Sequence, residues 1–214
     1  MAETQTTIVY QKMKEKIEKG EYSPAQSLPE AALAKEYGVS RNTIKKVLLM
    51  LENDAYVTMD LNKGARVSSY SKEEVLQFLE LREVLEGFII RQAIPCITEE
   101  NLKTLKGILS EMKEDLASGN LLHYSSGNHR FHQIIYDACP NHPAVEMTLR
   151  LKNQMKKYNS KTILVPKRGE HSFAEHSAIY EAIANRDPEQ GEKLIKEHIH
   201  NVRNTFDEYY SILF

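Results

Sequence analysis

Apolar residues recur at spacings of three and four along most of this chain, and one stretch in the first third breaks the rule. Tyr10, Met13 and Ile17 share a face of a helix expected over 7–20, with Thr7 as its cap and Gly20 as its end. Pro29 opens a short helix through Tyr37, with Leu33 and Tyr37 turned inward. Gly38 and Val39 make a tight turn, and Ser40 caps a third helix over 41–53 whose stripe is Ile44, Val47, Leu48 and Leu51. The period then changes. Two β-prone runs, 56–59 and 65–69, flank Asp60-Leu61-Asn62-Lys63-Gly64, the composition of a hairpin turn. Beyond Ser71 the helical period returns and persists, predicting six helices over about 71–93, 98–118, 121–138, 143–164, 169–185 and 188–213. Thr98 and Asp187-Pro188 are start signals, while Gly119 and the run Cys139 to Pro143 are breaks.

Helix, helix, tight turn, helix and two strands is the order of a winged helix-turn-helix. The expected fold is therefore mainly α, with a winged helix-turn-helix in residues 1–70 and an all-α six-helix bundle in residues 71–214. The 214 residues suffice for two modest cores. The first residues lack the apolar segment of a secretory signal, and no apolar run approaches the ~20 residues of a membrane span. Cys96 and Cys139 form no metal-type pair and read as free thiols of a reducing compartment, so a cytoplasmic location without membrane attachment is expected. Net charge is −2, and residues 1–70 carry 10 Lys/Arg against 9 Asp/Glu, so bulk charge carries no nucleic-acid signal.

Local placement does carry one. On the third helix Arg41, Asn42, Lys45 and Lys46 lie opposite the apolar stripe, so the helix can pack by one face and offer the other to a major groove. Arg and Lys suit guanine edges and phosphates, and Asn suits adenine. The helix N-terminus favours phosphate, and the hydroxyls of Ser40 and Thr43 can donate there. Lys63 and Arg66 on the hairpin are candidates for the DNA backbone or minor groove. An isolated helix of this kind is usually just a solvated face; the ordered series of elements is what argues otherwise.

Several spaced signatures resemble the DNA-binding domain of GntR-family regulators: Gly20-Glu21-Tyr22-Ser23-Pro24, Leu28-Pro29-Glu30, Leu33-Ala34, Tyr37-Gly38-Val39-Ser40-Arg41, Leu48 with Leu51, and Gly64-Ala65-Arg66-Val67. The resemblance implies that Ser40, Arg41 and Lys45 touch DNA. The chain departs from the family where Pro-Gly is Pro24-Ala25, where the helix carries Lys45 for Arg, and at Ala31, where some members carry a DNA-contacting Arg. Lys lacks the bidentate fork of Arg, so a different operator preference is expected.

Seven of the eight histidines lie after residue 128. Asn128 and His132 are four apart and share a helix face. His176 and His198 fall on the last two helices, and both can meet that face if these helices are antiparallel neighbours. From spacing alone the four are either ordinary core and surface residues or a site for a divalent metal. Three imidazoles and one amide oxygen suit a transition metal, Zn or Ni foremost, over Mg or Ca. Here too there is a resemblance. Asn128-His129-Arg130-Phe131-His132, Glu175-His176 with Ile179, Ala182 and Ile183, and Leu81-Arg82 with Leu85-Glu86 are similar to elements of the FCD (FadR C-terminal) sensing domain, and six helices to its VanR-like subgroup. The resemblance implies metal binding by Asn128, His132, His176 and His198, a small carboxylate effector at the metal, and Arg82 as its ion-pair partner. The family more often has Asp where Asn128 stands; a neutral amide holds metal more weakly and leaves the site more cationic. His129, His142, His171 and His200 read as surface or outer residues.

The expected function is a homodimeric regulator, read as a repressor, that binds double-stranded operator DNA under control of a small organic acid. Two other readings compete: a DNA-binding dimer whose helical domain is only structural, and a metalloenzyme. The last lacks a paired acid–base set and a zincin-type motif, and leaves the DNA-reading elements unexplained, so no enzymatic activity is expected.

Overall fold

The computed structural model describes residues 4–60 and 64–213, with nothing stated for the side chains of residues 156–160. It divides into two compact units, Met1–Ser71 with Lys152–Lys157, and Lys72–Leu151 with Tyr158–Phe214.

In the first unit, α1 (Gln5–Glu18) starts one turn earlier than expected. Its cap is Thr4, whose hydroxyl accepts from the Thr7 N–H at 3.2 Å, so Thr7 is inside the helix. A short α2 (Glu30–Tyr37) ends at Gly38, which sits at φ 64°, a left-handed conformation that glycine adopts without strain. The chain turns there and enters α3 (Arg41–Asn53) through Ser40, whose Oγ accepts from the Thr43 N–H at 3.0 Å. Ile44, Val47, Leu48 and Leu51 are fully buried, as their spacing predicts. They pack with Met13, Leu28, Leu33 and Val57 in one core.

The sheet has three strands where two were expected. Strands β2 (Val57–Asp60) and β3 (Gly64–Val67) form the hairpin, and β1 (Ser27–Leu28) pairs antiparallel with β3, giving the order β1-β3-β2. Two residues cannot declare a period, so β1 exists only through its partner. Ala25, which stands where the related pattern has glycine, is held at φ 59° and gives its N–H to the Val67 carbonyl at 2.9 Å. This non-glycine residue carries a left-handed strain that glycine would avoid.

In the second unit, α4 (Lys72–Ala93) runs into a 3₁₀ turn (Ile94–Cys96) and is followed by α5 (Glu99–Ser118), α6 (Leu121–Ala138), α7 (His142–Thr162), α8 (Arg168–Ala184) and α9 (Pro188–Leu213). The starts follow local chemistry. Thr98 and Asn101 form a reciprocal capping box on α5, and Asn120, Asn141 and Asp187 each accept from a first-turn N–H. Helix α4 packs along α9, α5 lies against α6 and α8, and α8 against α9. The approach to α9 is close: a Cβ on Gly191 would lie 3.6 Å from Ile90 Cδ1 of α4 and 2.4 Å from Ile94 Cδ1 of the turn after it. No described helix is long and apolar enough to cross a membrane.

The first unit has a small core, so removing part of its centre has a large effect. Leu48→Ala is expected to destabilise it by about 2–5 kcal/mol. Hydrogen exchange would then show lost protection across α3 while α5 and α6 keep theirs. Unchanged protection in α3 would contradict this account of the core.

Candidate DNA-reading face and histidine cluster

Helix α3 separates its two chemistries cleanly. With the apolar stripe sealed, Arg41, Asn42, Lys45 and Lys46 are all exposed. Ser40 and Thr43 are tied to each other, Oγ to Oγ1 at 2.9 Å, and together close the helix N-terminus. Arg66 lies mid-strand in the central strand β3, opposite Ser27 and Thr58 in register. It points out between the buried Ala65 and Val67, with Nη1 3.4 Å from the Ala25 carbonyl and Nε 3.9 Å from Asp60 Oδ2. Lys63, expected on the hairpin turn, lies outside the described residues.

In the helical unit the four residues expected to share a site do meet. Asn128 and His132 come from α6, His176 from α8 and His198 from α9. His176 Nε2 lies 3.2 Å from His132 Nε2 and 3.0 Å from Asn128 Oδ1. One ring nitrogen from each of the three histidines lies within 4.8 Å of the others. All three rings are buried, and Phe131 meets His176 edge-on at 5.1 Å between centroids.

Each imidazole is held from behind. His176 donates from Nδ1 to the Ser172 carbonyl at 2.6 Å. His198 donates from Nδ1 to Glu175 Oε2 at 2.6 Å, and His132 turns its Nδ1 to Glu86 Oε2 at 3.2 Å. A neutral imidazole with its proton on Nδ1 has a bare lone pair on Nε2. On His176, whose Nδ1 donates to Ser172, the bare Nε2 faces His132 Nε2 across 3.2 Å. That separation matches two nitrogens each ~2.0–2.1 Å from one ion. Backing by a carboxylate or carbonyl is the usual outer support of a metal-bound histidine. The donor set therefore fits a divalent transition metal.

The charges are arranged around the cluster in pairs. Arg82 gives Nε and Nη2 to Glu86 Oε1 at 2.8 and 2.6 Å, deep inside the unit. Arg82, expected to meet an effector, thus stands behind Glu86, and Tyr136 is bonded to both. Arg168 gives Nη2 to Glu175 Oε2 at 2.9 Å, and Asn201 Nδ2 donates to Glu175 Oε1. Burial alone would raise the Glu175 pKa, but the His198 hydrogen bond and the Arg168 charge outweigh it and hold the carboxyl at about 2. Burial, helped by the nearby His198, pushes His176 down to about 3. Burial also pushes His198 down to about 4, against the pull of Glu175. Both rings are neutral at pH 7, the form in which imidazole binds metal.

Sequence reasoning named the four inner residues and missed their supports. Glu86 was visible only as a motif residue. Glu175 too was visible only as a motif residue beside His176; because neighbours on a helix point in different directions, it reaches His198 while His176 faces inward. The other five histidines stay outside the cluster. His123, which was assigned no role, pairs with Asp115 at 2.7 Å.

A helix-turn-helix head with a β-wing, in a chain that also carries a helical bundle, defines the class of DNA-binding transcriptional regulators. The chain belongs to the gntR family of bacterial regulatory proteins, matched over residues 5–67, with an FCD domain over residues 77–201. It is similar to the transcriptional repressor GlaR of Escherichia coli, at 25% identity over 89% of this chain and 90% of that protein. It is also similar to the transcriptional regulator LutR of Bacillus subtilis, at 26% identity over 91% and 97%. The solved structure of E. coli McbR/YncC shares the fold, with a TM-score of 0.76 and 18% identity over 97% of this chain and all of the other. The protein is a transcriptional regulator, not an enzyme.

Neutral buried histidines make the metal-free fold acid-sensitive. Above pH about 6.5 folded and unfolded imidazoles are both neutral. As pH falls from there toward about 4, the unfolded chain binds protons that folded His176 and His198 refuse, so stability drops. After chelation, the urea midpoint is expected to fall steadily between pH 7 and 4.5, and less steeply in His198→Gln. Equal slopes in the two proteins would contradict the burial argument.

Proposed function

We propose that the protein is a cytoplasmic, homodimeric repressor whose grip on operator DNA is set by a small carboxylate effector bound at a metal in the helical domain. The observation that carries this reading is the cluster of three imidazole nitrogens whose partner nitrogens are already committed. Asn128, His132, His176 and His198 would hold the ion, zinc or nickel by the character of the donors. When bound, it would supply the positive charge that draws a carboxylate into a buried site. The protein's own residues do the rest. Ser172, Glu86 and Glu175 fix the imidazole tautomers and ring angles, and Arg82 and Arg168 keep the two carboxylates ionised.

Ser40, Arg41, Asn42, Thr43, Lys45 and Lys46 form the proposed DNA face, with Lys63 and Arg66 as backbone contacts from the wing. Arg41, at the helix start, is the residue best suited to a guanine edge. A two-fold operator needs two heads. Leu81, Val84 and Phe88, 55%, 63% and 41% exposed on one face of α4, offer an apolar stripe for the dimer contact. Six helices after residue 71 among the described residues favour the VanR-like subgroup. That a relative is a repressor favours the same sign here.

Arg41→Ala is expected to weaken specific binding by roughly 1–3 kcal/mol, a loss of tenfold or more in a gel shift at fixed salt. Undiminished specific binding would remove Arg41 from the interface. The purified protein is expected to carry about one divalent metal per chain, and His176→Ala to carry none, by elemental analysis. Metal-free protein that takes up no zinc on reconstitution would reject the site and leave the helical domain structural.

A further inference from the structure

The cluster carries one feature that tautomer control does not use. Arg168 opens α8 directly after Lys167, which is held at φ 64° in the left-handed region. Its residue is 6% exposed. Nη2 is spent on Glu175, but Nη1 is buried with no hydrogen-bond partner among the described residues. A charged donor left without an acceptor in the interior costs more than a neutral one, and such groups call for a ligand atom or ordered water. We infer that Arg168 Nη1 receives the second carboxylate of a dicarboxylate effector whose first carboxylate lies at the histidine cluster.

The position supports this. Nη2 binds the same Glu175 oxygen that accepts from His198 Nδ1–H, so the guanidinium is two hydrogen bonds from a ring of the cluster. Its charge bears on His176, His198 and Tyr124 alike. Ser172 on the first turns of α8, and Tyr124 on α6, whose hydroxyl donates to the Gly169 carbonyl at the start of α8, are buried and add hydroxyls that can help hold an anion.

The charge balance points the same way. Glu86 is matched by Arg82 and Glu175 by Arg168, while the inner residues Asn128, His132, His176 and His198 are neutral ligands. A divalent ion would therefore keep both its charges in a buried setting, where net charge is costly. A monocarboxylate cancels one of them and leaves Nη1 orphaned. A dicarboxylate cancels both and gives Nη1 a charged acceptor, and such charge-assisted bonds are among the strong ones. Lys cannot substitute here, because a single ammonium cannot hold Glu175 and a ligand in the same forked geometry.

The inference rests on the proposed metal site, and the test separates the two. Zinc-loaded full-length protein is titrated calorimetrically with malonate, succinate and glutarate, and with butyrate as the monocarboxylate control. At least one diacid is expected to bind tenfold or more tightly than butyrate. Arg168→Lys keeps a cation beside Glu175 but removes the second arm; with its zinc content measured alongside, its diacid preference is expected to shrink to within about threefold. Protein that holds zinc but binds no diacid better than butyrate overturns the role of Arg168 alone, leaving a buried water at Nη1. An Arg168→Lys protein that keeps the full preference does the same. Protein that takes up no zinc overturns both readings.

Discussion

Three buried imidazoles stand within 4.8 Å of one another, with the Nε2 atoms of His132 and His176 3.2 Å apart, and the charged groups of the helical domain are arranged around that contact. In water a free imidazole titrates near pH 6.5. Here burial holds His176 at about 3 and His198 at about 4, so both are neutral at neutral pH. The Nδ1–H groups of these two rings are held outward by the Ser172 carbonyl and the Glu175 carboxylate. The proposed metal would take the inward nitrogens without disturbing those acceptors. Behind the rings, Glu175 is paired with Arg168, and Glu86, which faces His132, is paired with Arg82.

The DNA-reading unit applies the same economy with different means. Four fully buried aliphatic side chains fix the orientation of α3, and Glu52 near its end accepts from the Met59 N–H, on turns away from Arg41, Asn42, Lys45 and Lys46. Its cationic face is therefore available in full. Gly38 permits the turn that sets α3 after α2, and the Ser40 cap closes its first turn. Such a helix has a defined direction but no intrinsic sequence preference beyond what Arg41, Asn42, Lys45 and Lys46 present. Lys45 in place of arginine makes one of those contacts a point charge where a fork would be more selective.

Periodicity made the helices legible, because 3.6-residue spacing is a local property and each helix of the second unit buries one stripe. Asn128 and His132 were legible for the same reason, being one turn apart. The strand β1 was not, since two residues have no period and the pairing partner lies nearly forty residues on. The cap of α1 was misplaced because Thr4 and Thr7 are equally good caps by composition; only the three-dimensional path shows which hydroxyl meets an orphan N–H. Glu86 and Glu175 were hidden for a deeper reason. A supporting carboxylate is recognised by the ring it faces across an interhelical gap, and Ser172 contributes a carbonyl that every residue type possesses. Arg82 was read as meeting a ligand because its motif suggested a charge partner, and the partner turns out to be four residues away on the same helix.

That pairing bears on how the two units can communicate. A bound ligand shifts an equilibrium only by as much as its affinity differs between two arrangements. Among the residues of the cluster and its supports, those on α4 are nearest in sequence to the DNA-reading unit, since α4 begins at Lys72 and β3 ends at Val67. Its link to the cluster is Glu86, held on one oxygen by Arg82 and turned to His132 by the other. Movement of the His132 ring on ligand binding would either carry Glu86 along or break a buried contact between charged and polar groups, and the second is costly. Helix α4 is in turn packed along α9, the helix that carries His198. The proposed ligand would therefore act on two helices packed against each other, on α4 through Glu86 and on α9 through His198, and close-packed helices answer such a change by shifting together.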